Sequence, residues 1–157
     1  MKTLLALLVF CATTAWSAQI GDSVESKISL ENRIPVPNNQ PIAVRTITLD
    51  DGVWAVSGLV DYFVSGLDTN CYIGASINTE LLISVDGTGL FTTVAGPPPL
   101  SFNFPGLALP SKVIEINGNG VPVYLVGWRW TGLPPININA QAQAWGFISA
   151  RKIRNNH

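Results

Sequence analysis

Val53-Trp54-Ala55-Val56-Ser57-Gly58-Leu59-Val60-Asp61-Tyr62-Phe63-Val64 is the stretch that decides the fold. Its apolar residues recur every second position, which is the repeat of a β-strand and not of a helix. Trp54, Val56, Val60, Tyr62 and Val64 share one face; Ala55, Ser57, Leu59, Asp61 and Phe63 share the other. Both faces are fairly apolar, so the strand is predicted to lie inside a sheet and not at its edge. Upstream, Asp50-Asp51-Gly52 reads as a tight turn, Ile42 to Leu49 as a strand rich in β-branched residues, Pro35 to Pro41 as a loop, and Ile28 to Ile34 as a first strand. Downstream, Gly66 to Asn70 turns the chain and Cys71 to Asn78 is predicted to pair back. Leu81 to Val85 reads as a short strand before the turn Asp86 to Gly89. Residues 95 to 110, with Gly96-Pro97-Pro98-Pro99, Phe102, Phe104, Pro105-Gly106 and Pro110, read as a long apolar loop.

Lys112 to Ile116 and Val121 to Trp130 are further strands, joined by the turn Asn117 to Gly120. Tyr124, Trp128 and Trp130 share one face of the second. Gly132-Leu133-Pro134-Pro135 breaks it. In Ile136 to Ile153, one face carries Ile136, Ile138, Ala140, Ala142, Ala144 and Ile148. The other carries Asn137, Asn139, Gln141, Gln143, Trp145 and Phe147. The small apolar face predicts a close approach at its middle. About eight strands at hairpin-like spacing, with no helical stretch between them, predict an all-β fold: an antiparallel two-sheet sandwich of jelly-roll type. Crossover helices are missing, which disfavours a parallel α/β fold.

The first residues have the layout of an export signal. Lys2 precedes the apolar run Leu4 to Ala12, and the small residues Thr13-Thr14-Ala15 and Ser17-Ala18 follow around Trp16. The run is too short to span a membrane as a helix, which takes about 20 residues. Cleavage after Ser17 places Ala15 and Ser17 at the two positions a signal peptidase reads; cleavage after Ala18 places bulky Trp16 at one of them. The expected organisation is a signal peptide over residues 1–17 and one β-sandwich domain over 18–157. With Cys11 removed in the signal, Cys71 is the remaining cysteine, so no intramolecular disulfide is available.

Charged residues are 12% of the chain against 47% hydrophobic, with a net charge of −1. An ordinary soluble domain has about 25% charged residues. The deficit suits a surface partly covered by further copies of the chain, and equally an extracellular β-domain. No basic patch points to nucleic acid.

Two stretches resemble a known family. Ile47-Thr48-Leu49-Asp50-Asp51-Gly52-Val53-Trp54-Ala55-Val56-Ser57-Gly58 resembles the Gly-x-Trp segment near the start of small phage and prophage proteins. Ala142-Gln143-Ala144-Trp145-Gly146-Phe147-Ile148-Ser149-Ala150-Arg151-Lys152-Ile153-Arg154 resembles that family's aromatic-Gly-x-Ile-x-Ala-Arg-Arg ending. Tyr72 to Thr79 sits where the family carries a similar Gly-Ala-Ser segment. The resemblance covers residues 42 to 154 and implies a virion- or tail-associated jelly-roll domain that forms homotrimers. The export signal is a departure from that family. The resemblance implies no catalytic residues.

A search for chemistry returns little. His157, at the end of the chain, is the sole histidine, so neither a Ser-His-Asp triad nor a histidine metal site is expected. No cofactor is expected. Cys71 without a histidine partner reads as a core thiol. Asp61 and Glu115 are the two strand carboxylates that could face each other across a cleft for glycoside hydrolysis. Tyr124, Trp128, Trp130 and Trp145, with the amides Asn137, Asn139, Gln141 and Gln143, have the composition of a sugar-stacking platform. The same tryptophans could instead fill the core or a subunit interface. Arg151, Lys152 and Arg154 form the sole basic cluster. The expectation is an exported, non-enzymatic structural or attachment domain that assembles with itself and displays loops such as 95–110 to a partner. The alternative is a monomeric carbohydrate-binding module using Trp128, Trp130 and Trp145.

Overall fold

The computed structural model describes residues 18–65, 71–82, 92–95, 101–131 and 141–156. The predicted signal segment 1–17, the predicted turns at 66–70, 86–89 and 132–135, residues 83–85, residues 96–100 of the predicted loop, and Asn137 and Asn139 lie outside the described residues. The side chains of Cys71, 92–95, 101–105 and Thr131 do too.

Nine strands follow in order: β1 (Ser23–Ile28), β2 (Ile34–Pro35), β3 (Pro41–Leu49), β4 (Gly52–Ser65), β5 (Cys71–Asn78), β6 (Thr92–Ala95), β7 (Ser101–Ile116), β8 (Val121–Thr131) and β9 (Gln141–Arg154). One short 3₁₀ turn, Leu30–Asn32, separates β1 from β2. Sheet A has the order β1-β9-β4-β7, with β2 also pairing with β9; sheet B has the order β3-β8-β5-β6. All strand pairs within these sheets are antiparallel. The chain changes sheet between β2 and β3, β3 and β4, β4 and β5, β6 and β7, β7 and β8, and β8 and β9. This interleaving of two antiparallel sheets is the jelly roll.

The deciding strand is central, as its two apolar faces require: β4 lies between β9 and β7. Trp54, Val56, Val60, Tyr62 and Val64 all point into the core. From β9 come Ala142, Ala144, Ile148 and Ala150, and from sheet B come Ile47, Leu49, Ile73, Ala75, Ile77, Val123 and Leu125. Gly146 marks a close approach of β9 to its in-sheet neighbour β4. A Cβ built there would stand 2.0 Å from the Leu59 carbonyl oxygen of β4. Backbone, not a side chain, fills that space.

Tyr62 ties the two sheets together. Its hydroxyl crosses the core, accepts the Trp128 amide at 3.1 Å and donates to the Gly74 carbonyl. Gly74 and Trp128 are register partners on β5 and β8, so the phenol serves both strands of sheet B. Full burial pushes the Tyr62 hydroxyl well above its ordinary pKa and keeps it protonated as a donor. Replacing Tyr62 with phenylalanine is expected to cost about 2 kcal/mol, because a buried donor and acceptor lose their partner at no change in ring packing. Urea unfolding of Y62F measures it.

Four sequence expectations need correction. The first strand is Ser23–Ile28, before the predicted Ile28 to Ile34, which instead holds the 3₁₀ turn and the start of β2. Asp50-Asp51-Gly52 turns the chain as expected, and in turning carries it from sheet B to sheet A. β5 does not pair back on β4; it joins sheet B between β8 and β6. Residues 101–110 are not loop. They belong to the edge strand β7, whose register against β4 shifts at two places. Leu109 to Lys112 spans the distance from Gly58 to Val56, and Phe104 to Leu107 the distance from Tyr62 to Val60. Each shift is one additional residue, beside Pro110 and beside Pro105-Gly106. Prolines are tolerated in strands at edges and bulges, and β7 uses both allowances. Of the predicted strand Leu81 to Val85, Leu81 and Leu82 lie outside any strand and the rest falls outside the described residues; a short strand, Thr92–Ala95, precedes β7.

Candidate functional site

The sandwich separates the predicted platform into two faces. Tyr124, Trp128 and Trp130 alternate with the core residues Val123 and Leu125 on β8, so they point away from the core on sheet B. Gln141, Gln143 and Trp145 alternate with Ala142 and Ala144 on β9, so they point away from the core on sheet A. A single stacking surface through Trp128, Trp130 and Trp145 is therefore not formed. Asn137 and Asn139 lie outside the described residues.

On sheet B the two tryptophans have different fates. Trp128 is 1% exposed. Its ring occupies the space over Gly74, where a Cβ would stand 2.0 Å from the ring. The missing side chain on β5 lets the indole lie flat on the sheet. Trp130, two residues on, is 47% exposed and meets Tyr72 of β5 with ring centroids 5.6 Å apart and planes tilted by 41°. Tyr72 itself is exposed, and Tyr124 is half-buried opposite Asn78. What remains of the platform on this face is the Tyr72–Trp130 pair.

On sheet A the outward residues Leu59, Phe63, Trp145 and Phe147 are all half-buried. Leu59 pairs with Phe147, and Phe63 with Gln143. The Arg33 guanidinium carbon lies 5.1 Å from the Phe63 ring centre and 5.9 Å from that of Trp145. A guanidinium against two ring faces is a cation–π clamp. Sequence reasoning missed Arg33, because only the β2–β9 pairing brings it over this face. Gln141 and Gln143 line a neighbouring groove of about 400 Å³ with Pro35, Val36 and Pro37.

Asp61 pairs with Trp145 on the same face. Gly106 makes room for it: a Cβ there would stand 2.7 Å from the Asp61 carboxylate and from Leu59. Loss of water around the carboxyl raises its pKa above the usual carboxylate value. The folded state therefore binds the proton more tightly than the unfolded one. The desolvation penalty is absent at low pH, grows as pH rises through the unfolded and then the folded pKa, and is complete above the latter. Asp61→Asn is expected to raise the melting temperature at pH 7 and leave it unchanged at pH 3, as read by calorimetry at both pH values.

The predicted carboxylate pair is not formed. Glu115 is the register partner of Val53, eight residues along β4 from Asp61. At about 3.3 Å per residue the two lie roughly 26 Å apart, whereas glycosidase carboxyls stand about 5–9.5 Å apart. Among the described residues no three His, Cys, Asp or Glu side chains gather into a metal site. No helix among them is long and apolar enough to cross a membrane. Lys152 of the basic cluster is buried, while Arg151 and Arg154 are exposed.

No protein-family model matches the chain, and no curated protein matches it. Solved structures do. A chain of the infectious bursal disease virus particle aligns over 97% of this chain and 36% of its own length, with a TM-score of 0.52 and 13% identity. The VP2 subviral particle of the same virus aligns over 97% and 37%, with a TM-score of 0.49 and 12% identity. The chain thus spans about a third of the length of these neighbours. The phage and prophage resemblance is supported only in its coarser form: this chain has the jelly-roll fold found in a viral particle.

Proposed function

We propose that this protein is a non-enzymatic structural domain of virion type, exported across a membrane, that assembles with itself as a trimer. The observation that carries the reading is the outward face of sheet A. Leu59, Phe63, Trp145 and Phe147 leave a contiguous, half-covered aromatic and aliphatic surface on a chain with only 12% charged residues. Apolar surface of this kind, with Asp61 and Gln143 set among its rings and Arg33 laid over Phe63 and Trp145, suits a protein interface. The low net charge of −1 places little repulsion between copies. The likeness to a viral particle chain supports the same direction. The display loop shrinks in this reading, since most of 95–110 is strand β7. Chemical cross-linking is expected to give a three-chain band that Trp145→Glu removes while the variant still melts cooperatively. A band pattern unchanged by Trp145→Glu would place the interface elsewhere.

One observation favours a second reading. The exposed Tyr72–Trp130 pair is the kind of amphipathic ring surface that stacks on sugars. In this form the protein is a secreted carbohydrate-binding module using sheet B alone. Glycan-array binding lost in Trp130→Ala supports it, and an array without hits removes it.

A further inference from the structure

The described fold begins at Ala18, and Ala18 is already part of it. Its side chain packs against the core. Its carbonyl oxygen accepts the Lys152 ammonium at 2.8 Å. Lys152 is 3% exposed and stands 5.8 Å from the Trp54 ring centre. Among the described residues no carboxylate pairs with it. The Ala18 carbonyl is thus the oxygen that this buried cation relies on, and a buried charge left without a partner is costly. The next residues are tied just as closely. Gln19 N donates to the Asp22 carboxylate at 2.6 Å, Gly21 N donates to Lys152 O at 2.9 Å, and Lys152 N donates to Asp22 O at 2.9 Å.

Ala18 also lines a pocket of about 530 Å³ with Gln19, Asp50, Asp51, Asn119 and Lys152. Asp51 is held in place there: its Oδ1 accepts Gly118 N at 3.1 Å and Asn156 Nδ2 at 3.0 Å. Two acidic residues, Asp50 and Asp51, thus line the pocket in which Ala18 sits.

We infer that the export signal is cut between Ser17 and Ala18, and that the new amino terminus docks in the Asp50/Asp51 pocket as a structural part of the mature domain. The inference rests on the export reading. In the cut, water adds across the Ser17–Ala18 peptide bond; Ser17 leaves as a carboxylate and Ala18 gains an α-ammonium. That cation faces the acidic wall of the pocket, while the Ala18 carbonyl keeps its bond to Lys152. A cut one residue later would remove Ala18 and its carbonyl, and leave Lys152 buried without its acceptor. The structure thus separates two cleavage positions that differ by one peptide bond.

The test is to express the full-length chain in a secreting host and read the intact mass and first residue of the exported protein. A chain beginning at Ala18 supports the inference. One beginning at Gln19 overturns it and leaves export standing. A chain that retains Met1 or is not exported overturns both. In parallel, purified chains beginning at Ala18 and at Gln19 are melted. The shorter chain is expected to lose about 5 °C; equal melting temperatures would overturn the docking.

Discussion

Gly146→Val is expected to cost about 3–4 kcal/mol and to lower the melting temperature by roughly 10 °C. Gly146 lies in the middle of β9, between its register partners Ile28 on β1 and Val60 on β4. A Cβ at this position meets the Leu59 carbonyl oxygen at 2.0 Å, the Leu59 carbonyl carbon at 3.0 Å and the Val60 Cα at 3.1 Å. All three atoms are backbone of the central strand, and backbone cannot rotate away as a flexible side chain can. The two central strands of sheet A must separate locally, and overpacking of this kind in a tight core is destabilising. Ladder hydrogen bonds on both sides of Gly146 are strained by the same movement. Calorimetry measures the effect. A variant that melts within a degree of the parent would mean that β4 and β9 do not meet in this register.

Trp128→Ala is expected to cost about 3–5 kcal/mol, whereas Trp130→Ala should change stability by no more than about 0.5 kcal/mol. The two residues are neighbours on one face of β8, and sequence alone treats them alike. Trp128 is buried on the bare backbone of Gly74, so truncation leaves a cavity of indole size. Trp130 is half in solvent and meets the Tyr72 ring at a tilt. Urea unfolding of both variants decides between a structural and a ligand-binding role for each. A Trp128→Ala protein of normal stability would contradict the placement of its ring. Gly74→Val should mimic the Trp128 truncation, since the valine and the indole claim the same space.

These contrasts show what was legible before the structure. Alternation along Val53 to Val64 was enough to identify a central strand and its core face, because period-two patterning is a local property. The faces of β8 and β9 were legible for the same reason. Sheet membership was not. Trp128 and Trp145 each point away from the core, yet they leave it in opposite directions, because β8 and β9 belong to different sheets. That assignment depends on non-local pairing, which no short segment encodes. Strand β7 was missed for a different reason. Pro105 and Pro110 are strong local signals against a strand, and only the edge position and the two bulges make them tolerable. Arg33 and Lys152 carried no sequence signal of their roles. One depends on β2 running beside β9, and the other on Ala18 returning to the end of the sandwich. Asp61 and Glu115 looked equivalent in sequence, but the antiparallel register of β4 and β7 keeps them far apart.

The central claim is assembly through the outward face of sheet A. Light scattering after chromatography, applied to the mature protein over a range of concentrations, tests it most directly. The predicted result is a mass of about three chains that does not fall on moderate dilution. A mass of one chain at every concentration would contradict assembly and leave the exposed Tyr72–Trp130 pair as the surface to study.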